Sequence, residues 1–253
     1  MKLTNSNYFS PEAQLAFMSV SQFKDFDRCE AMALAKVTGE WQEAKGTALL
    51  VGSYVDAYFE GSLEQFQEEN TELYLKNGGL KSEYRQAHDI IRRIERDELF
   101  MQYLAGEKQV ICTGEIEGVP VKIKIDALHP DKIVDLKVMK DFAPIWKDSQ
   151  KMTFIQAWDY DLQGAVYQAI EGNKKPFFIA GATKEKETDI GIFQVPQEFL
   201  NERLNYFKGM VHRYADIKKG LLEPVRCEHC DYCKRTKVLT DAVDLRELIY
   251  EME

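Results

Sequence analysis

Hydrophobic residues recur at helical spacing in the first part of the chain and alternate with polar residues after it. The helical segments that this spacing predicts are residues 19–37, 47–61 and 82–106. Gly106 is expected to end the third of them. Residues 1–18 have no clear period and are expected to be loosely structured, and residues 62–81 are polar and irregular. The pattern therefore predicts a helical N-terminal part over residues 19–106.

Alternation of hydrophobic and polar residues then predicts a sheet. The predicted strands are residues 109–116, 119–126, 133–140, 176–183 and 189–195. A Glu117-Gly118 turn joins the first two into a hairpin. Helical spacing returns over residues 154–172 and 197–220. The order of three strands, a helix and two strands predicts a mixed α/β core over residues 107–220, wrapped by helices.

Charged residues on the second and third predicted strands fall at positions that converge. Asp126 ends the polar face of the second strand, and Asp135 and Lys137 share one face of the third. If these strands pair, two carboxylates and one ammonium lie close together. Two carboxylates suit Mg²⁺ or Mn²⁺, and such an ion activates water and neutralises charge on a phosphoryl oxygen. The alternative is an ordinary cross-strand salt bridge on an exposed face.

The order of helix, hairpin ending in aspartate, strand bearing D-x-K and helix resembles the PD-(D/E)xK nuclease superfamily. The resemblance implies a restriction-endonuclease-like fold, in which a mixed β-sheet core is flanked by helices. It also implies that Asp126 and Asp135 bind the catalytic metal, together with the backbone carbonyl of Leu136, and that Lys137 assists the attacking water. Ile125 stands where the superfamily usually has proline.

Two further motifs resemble the lambda-exonuclease and RecB-type branch of this superfamily. Gln163 and Tyr167 form a Q-x-x-x-Y motif on one helical face, and in that branch these residues line the active site and contact DNA. Ser19 and Ser21 resemble an S-x-S opening that holds a DNA phosphate at a helix start. Without the resemblance, the first pair is a helix-surface contact and the serines are an N-cap.

Asp56 is a candidate for a third carboxylate ligand. In the same branch, a glycine on an early helix is followed by histidine or glutamate, which completes the metal site. Here Gly52 is followed four residues later by Asp56. Aspartate departs from the histidine version but still offers an oxygen ligand. The alternative is a solvated aspartate on a helix surface.

The arrangement most resembles the phage-encoded exonucleases of DNA recombination modules. The resemblance implies an Mg²⁺-dependent (or Mn²⁺-dependent) exonuclease that acts on double-stranded DNA ends. It implies 5'-to-3' resection that leaves 3' single strands, and a single-strand annealing protein as partner. One alternative is an endonucleolytic or CRISPR-adaptation-like iron–sulfur nuclease. Another is a noncatalytic DNA-binding module.

The acidic balance of the chain limits how it binds DNA. The net charge of −9 argues against a protein that coats nucleic acid through positive charge alone. Relatives of this type close into rings around DNA, so we expect a homo-oligomer, a trimer or tetramer ring.

No apolar run is long enough to span a membrane, and the N-terminus lacks an apolar signal core. We therefore expect a protein of the bacterial host cytoplasm without a membrane partner.

The cysteines indicate a second metal site. Cys227, Cys230 and Cys233 follow one another at two-residue gaps, in a C-terminal segment that spans residues 221–253 of a single domain. In the related CRISPR-associated and helicase–nuclease iron–sulfur nucleases, one earlier cysteine completes the set, and Cys29 occupies that place. The resemblance implies a four-iron iron–sulfur cluster, although the last gap is shorter than theirs. Zinc is the second alternative, and thiols without metal are the third.

Overall fold

The computed structural model describes residues 1–43, 46–147, 149–242 and 244. The helices of these residues are α1 (Pro11–Ala16), α2 (Val20–Arg28), α3 (Glu30–Thr38), α4 (Thr47–Glu60), α5 (Leu63–Glu69), α6 (Gln86–Glu95), α7 (Glu98–Leu104), α8 (Phe154–Ala157), α9 (Tyr160–Glu171), α10 (Gln197–Lys218) and α11 (Asp231–Arg235). Short 3₁₀ turns lie at Thr71–Leu73 and Ser82–Tyr84. Residues 245–253, the end of the predicted C-terminal segment, lie outside the described residues.

The strands form a mixed sheet of five and a separate pair. They are β1 (Glu107–Ile116), β2 (Val119–Leu128), β3 (Ile133–Met139), β4 (Ile145–Lys147), β5 (Gln150–Met152), β6 (Phe177–Thr183) and β7 (Ile190–Gln194). The large sheet has the order β1-β2-β3-β6-β7, with β3 and β6 parallel and the other neighbours antiparallel. The predicted mixed α/β core is therefore confirmed. β4 and β5, which were not predicted, form a small hairpin between β3 and α8.

Helices cover both faces of the sheet and divide the core in two. One core joins Ile133 and Ile179 of the sheet to α2, α9 and α10. The other joins Val134 and Leu136 to α4, α6 and α7. Successive residues of β3 thus enter opposite cores, as the alternation predicted. Asp135 and Lys137, at odd-numbered positions, lie on the first of these faces.

The predicted helix over residues 19–37 is wrong as a single element. It is two helices, α2 and α3, that separate at Cys29, where the backbone is extended (φ −167°, ψ 110°). Tertiary contacts explain the break. Glu30 accepts hydrogen bonds from the Arg213 guanidinium (2.6 and 2.8 Å) and from the Val225 N–H (2.7 Å). The Ala31 N–H donates to the Val225 carbonyl (3.1 Å), outside the helix, so the C-terminal segment supplies a backbone contact at the break as well.

The long helix predicted over residues 82–106 is also wrong as a single element. A 3₁₀ turn leads into α6, and α6 and α7 separate at Arg96 and Asp97. Asp97 caps α7 by accepting a hydrogen bond from the Phe100 N–H (2.9 Å).

Two regions expected to be irregular contain helices as well. They are residues 1–18, which include α1, and residues 62–81, which include α5.

The N-terminal residues pack on the hairpin instead of leading loosely into the fold. Tyr8 is buried, and Met18 forms an isolated bridge to Val121 of β2. Beneath them Lys122 is only 1% exposed, and its Nζ donates to the Tyr8 carbonyl (2.6 Å) and lies 4.6 Å from the centre of the Tyr8 ring. The polar face predicted for this strand is therefore partly covered by protein. Within the described residues, no helix is both long and apolar enough to cross a membrane.

We predict that Gly164→Ala destabilises the protein. Gly164 lets α9 lie directly on β6, and an added Cβ would overlap the Phe177 ring. The free energy of unfolding should fall by about 1–3 kcal/mol, measured by chemical denaturation. The matched control is Gly209→Ala in α10, where the space around an added Cβ is open to 4 Å. That change should leave stability unaltered or raise it by up to about 1 kcal/mol. Equal effects of the two substitutions would contradict the prediction.

Candidate active site

The site lies where β2 and β3 separate. The two strands pair at Leu128–Ile133 and at Ala127–Val134, and the next two opposed residues are Asp126 and Asp135. Here a side chain takes over from the backbone ladder. Oδ2 of Asp126 accepts a hydrogen bond from the Leu136 N–H (3.0 Å). The separation opens space between the strands for both carboxylates. The convergence expected from the sequence is thus produced by the end of a strand ladder.

Asp135 is held from two sides. It is 1% exposed, and its Oδ2 forms an ion pair with Nζ of Lys137. Its Oδ1 accepts a hydrogen bond from Nε2 of Gln163 on α9 (2.5 Å). The Lys137 ammonium also lies 5.5 Å from the centre of the Tyr160 ring. A short side chain on β3 is therefore fixed by its own strand and by the helix above it.

Burial dominates the protonation of these groups. Removal from water raises the pKa of Asp135 to about 7, and the nearby Asp126 charge adds to this effect, while Lys137 opposes it. Burial alone would lower the pKa of Lys137, but Asp135 and Asp126 outweigh it and the pKa is raised. Lys137 therefore stays an ammonium at neutral pH, whereas Asp135 keeps a proton up to a pH of about 7.

Asp56 adds a third carboxylate from the opposite core. It projects from α4, one turn after Gly52, which packs against Val138 of β3. Burial raises the pKa of Asp56 well above its usual value, and the Asp126 charge raises it further. Its Oδ1 is shielded from solvent and has no hydrogen-bond partner among the described residues. A buried acceptor without a partner is costly, and a cation would compensate it.

These oxygens fit a hard divalent metal ion. Asp56, Asp126 and Asp135 line an open cavity of about 240 Å³, together with Leu136. Carboxylate and carbonyl oxygens are the ligands that Mg²⁺ and Mn²⁺ prefer. The unpaired Asp56 oxygen and the raised pKa values of Asp56 and Asp135 indicate that a positive charge here would stabilise the carboxylates.

Glu60 was missed by the sequence analysis. It lies one helical turn after Asp56 and lines the same cavity. Burial raises its pKa, and the positive charge of Lys124 opposes this. The available signal was the four-residue spacing from Asp56 on a predicted helix, which places both side chains on one face.

The predicted DNA-contacting residues lie beside the carboxylates. Gln163 holds Asp135, and the Tyr167 hydroxyl donates to the Lys124 carbonyl of β2 (2.9 Å). Ser19 caps α2 by accepting from the Gln22 N–H (3.3 Å), and its Oγ lies 3.0 Å from Oγ of Ser21. Ser21, Gln163 and Tyr167 therefore line the cavity that holds the carboxylates, and Ser19 lines an adjoining cavity.

Lys24 is a second residue that the sequence analysis missed. It lines an adjoining cavity of about 150 Å³ with Ser19, Ser21 and Gln163. Burial lowers the pKa of Lys24 to about 8, against the opposing charge of Asp159. Its position on the helical turn after Ser21 was the available signal. Lys24 gives this cavity a positive side chain close to the carboxylates.

Cys29 and the three C-terminal cysteines also come together, at a site separate from the carboxylates. The Sγ atoms of Cys29, Cys227, Cys230 and Cys233 all lie within 4.8 Å of one another. His229 is turned away, because its Nδ1 lies 2.6 Å from the Cys227 carbonyl oxygen and donates to it. Cys112 lies in β1 and packs against the core. The structure thus brings Cys29 to the other three, and the group can bind a metal.

Comparison with protein families identifies this architecture. A family model described as "PDDEXK-like domain of unknown function (DUF3799)" matches residues 19–236. The chain belongs to this family. Membership of the PD-(D/E)xK nuclease superfamily, predicted from the D-x-K strand and its hairpin, is therefore confirmed, as is the restriction-endonuclease-like mixed sheet flanked by helices.

A solved structure resembles this PDDEXK-like domain over its whole length. It is the crystal structure of a protein from Eubacterium rectale that is described as a "Putative exonuclease". The two chains are 48% identical, the match covers 98% of each chain, and the TM-score is 0.94. Among curated proteins no match was found.

We predict that metal binding to the PDDEXK-like domain strengthens as pH rises towards 7. The metal must displace the proton that burial retains on Asp135, whose pKa is about 7. Below that pH, Mn²⁺ affinity should rise by up to about tenfold per pH unit for each proton released, and it should then level off. Isothermal titration at several pH values measures this. Asp135→Asn should reduce the slope, and an affinity independent of pH would contradict the prediction.

Removal of the Gln163 amide should weaken the metal site without unfolding the protein. Gln163→Ala frees Asp135 to rotate, and loss of such an orienting contact typically costs about 10–100-fold in metal affinity. Mn²⁺ titration checks this. The matched control is Gln168→Ala on the same helix, because Gln168 is hydrogen-bonded to Gln197 outside the site. Equal loss of affinity in both variants would contradict a specific role for Gln163.

Proposed function

We propose that this PDDEXK-like protein is an Mg²⁺-dependent exodeoxyribonuclease that hydrolyses phosphodiester bonds from the ends of duplex DNA. The observation that carries the proposal is the ion pair between buried Asp135 and partly exposed Lys137, which lies beside Asp126 where two strands separate. Membership of the PDDEXK-like family supports nuclease chemistry. The description of the Eubacterium rectale relative as a "Putative exonuclease" supports attack from an end.

The residues of the site have different roles in hydrolysis. When bound, the divalent metal stabilises charge on the phosphoryl oxygens and makes its bound water more acidic. Asp126, Asp135 and the Leu136 carbonyl would hold the metal, and Asp56 would complete the set. Gln163 keeps Asp135 in one orientation. Such positioning matters because small displacements of a reacting group cost large factors in rate.

Lys137 acts as a cationic donor in this scheme. Its raised pKa keeps the ammonium protonated at neutral pH, so it does not accept a proton from the attacking water. The ammonium instead donates a hydrogen bond, which holds the water or stabilises a phosphate oxygen as negative charge builds up on it. The ring of Tyr160 beside Nζ limits the directions in which the ammonium can point.

The surroundings of the site explain how an acidic chain can hold DNA. Lys24 and Lys124 line the two adjoining cavities and provide positive charge where a phosphate would enter. Phe9 is 68% exposed and lines the larger cavity, so its ring offers a stacking surface for a terminal base. Once a metal ion offsets the carboxylates of the cavity, local charge rather than the net charge of −9 would decide the binding.

Several finer features of the proposal are supported by the family resemblance alone. They are 5'-to-3' polarity, production of 3' single strands for phage-type recombination, and a single-strand annealing protein as partner. A trimer or tetramer ring would confer processivity, because a ring that surrounds DNA does not dissociate between cuts. A bacterial host cytoplasm is the matching location.

The proposal predicts that Asp135→Asn and Lys137→Ala each lower the digestion of linear duplex DNA in Mg²⁺ by about 10²–10³-fold or more, with the fold retained. Duplexes labelled separately at the 5' and 3' ends give the rate and the polarity. Asp131→Asn is the matched control, because Asp131 is exposed between the same two strands and pairs only with Lys132 among the described residues. It should digest at the wild-type rate.

Closed circular duplex separates exonuclease from endonuclease activity. Covalently closed circles should stay intact under conditions that degrade the linear form. Cutting of closed circles would replace the exonuclease proposal with an endonuclease. Digestion by Asp135→Asn at the wild-type rate would overturn the assignment of the active site, and binding without digestion in Mg²⁺ and Mn²⁺ would indicate a noncatalytic module.

A further inference from the structure

The four cysteine sulfurs lie closer together than an iron–sulfur cluster requires. Sγ of Cys29 is 3.6 Å from Sγ of Cys233, which is 3.9 Å from Sγ of Cys227, and all four sulfurs lie within 4.8 Å of one another. In a four-iron cluster each thiolate binds a different iron, so the thiolates stand about 6 Å apart. The cluster implied by the sequence resemblance therefore does not fit this arrangement.

The spacing fits a single tetrahedral ion instead. Zinc–sulfur bonds of about 2.3 Å at tetrahedral angles place neighbouring sulfurs about 3.8 Å apart. We propose that Cys29, Cys227, Cys230 and Cys233 bind one Zn²⁺ ion in a closed, four-thiolate site. Because all four ligands come from the protein, the site has no open position for substrate, and its role is structural.

Backbone contacts show a loop arranged around thiolates. The Cys230 N–H donates to Sγ of Cys227 (3.3 Å), and the Cys233 N–H donates to Sγ of Cys230 (3.4 Å). These contacts come from the two-residue gaps and from the start of α11, which Cys230 caps. Hydrogen bonds to sulfur stabilise the thiolate and orient it. Hydrogen bonds to metal-ligating side chains generally have this effect.

Two arginine side chains lie near the group. Nη2 of Arg226 donates to the Cys233 carbonyl (2.8 Å), which keeps its guanidinium beside that thiol. Arg28, at the end of α2, has a favourable charge interaction with Cys230. A divalent ion with four thiolates carries a net charge of −2, which these two arginines offset in part, because Arg226 also pairs with Glu228 and Arg28 with Glu43.

The position of Cys29 explains why the long predicted helix is broken. Cys29 is 4% exposed and extended, so its thiol points to the C-terminal segment instead of following the helical path. The break gives up helical hydrogen bonds, and one ion bound by four thiolates would offset that loss. The same α2 carries Ser19, Ser21 and Lys24 at the candidate active site, so the ion would also fix the orientation of those residues.

Metal analysis of the full-length protein tests the proposal without relying on nuclease activity. The protein is produced in medium supplied with both iron and zinc and is purified under nitrogen, so that an oxygen-sensitive cluster survives. Elemental analysis should find one zinc per chain, and the protein should be colourless. A brown protein that contains iron and inorganic sulfide would overturn the proposal. A stable protein without metal, with its four thiols free or joined as disulfides, would overturn it as well.

Substitutions then identify the ligands. Cys29→Ser should lose the zinc, whereas Cys112→Ser, which changes a thiol in β1, should keep it. If Cys29→Ser does not fold, Co²⁺ is exchanged into the wild-type protein. Its absorption should then show tetrahedral coordination with thiolate charge-transfer bands. Octahedral cobalt, or zinc retained in full by a folded Cys29→Ser protein, would contradict the four-thiolate site.

Discussion

The ion pair between buried Asp135 and partly exposed Lys137 is the interaction on which the rest of the structure depends. Removing two charges from water is costly, and their mutual attraction offsets that cost only when the geometry is good and the remaining polar atoms are satisfied. Gln163 supplies one such contact from α9, and the Leu136 N–H keeps Asp126 beside the pair. Both cores therefore meet at this point, because α4 brings Asp56 from the opposite side. The fold itself holds these groups in place.

The sequence predicted the parts of the site that depend on strand periodicity. Alternation along β3 placed Asp135 and Lys137 on one face, and the hairpin placed Asp126 opposite them, because side chains on a strand repeat every two residues. The same alternation could not predict that Lys122 is buried under Tyr8, because that contact joins distant parts of the chain. Partners of this kind are decided by tertiary packing, which local pattern does not encode.

The helix break at Cys29 is a second feature that local sequence pattern could not predict. Helical spacing continues across the break, so the local sequence favours one helix, and the thiol group together with the Glu30–Arg213 contact overrides it. α2 connects this cysteine group with the serines beside the carboxylates. The two polar centres are therefore not independent parts of the molecule, because each is attached to one end of the same short helix.

The meeting of Cys29 with Cys233 has a consequence for how the protein is made. The two residues are 204 positions apart, so nearly the whole chain lies between them. The entropic cost of closing such a loop is smaller once the residues between have folded, and the contact cannot form until the late cysteines have been synthesised. Strands and most helices can assemble earlier during synthesis, whereas the end of α2 reaches its final surroundings last. The cysteine group therefore forms later in synthesis than contacts between neighbouring elements of the sheet.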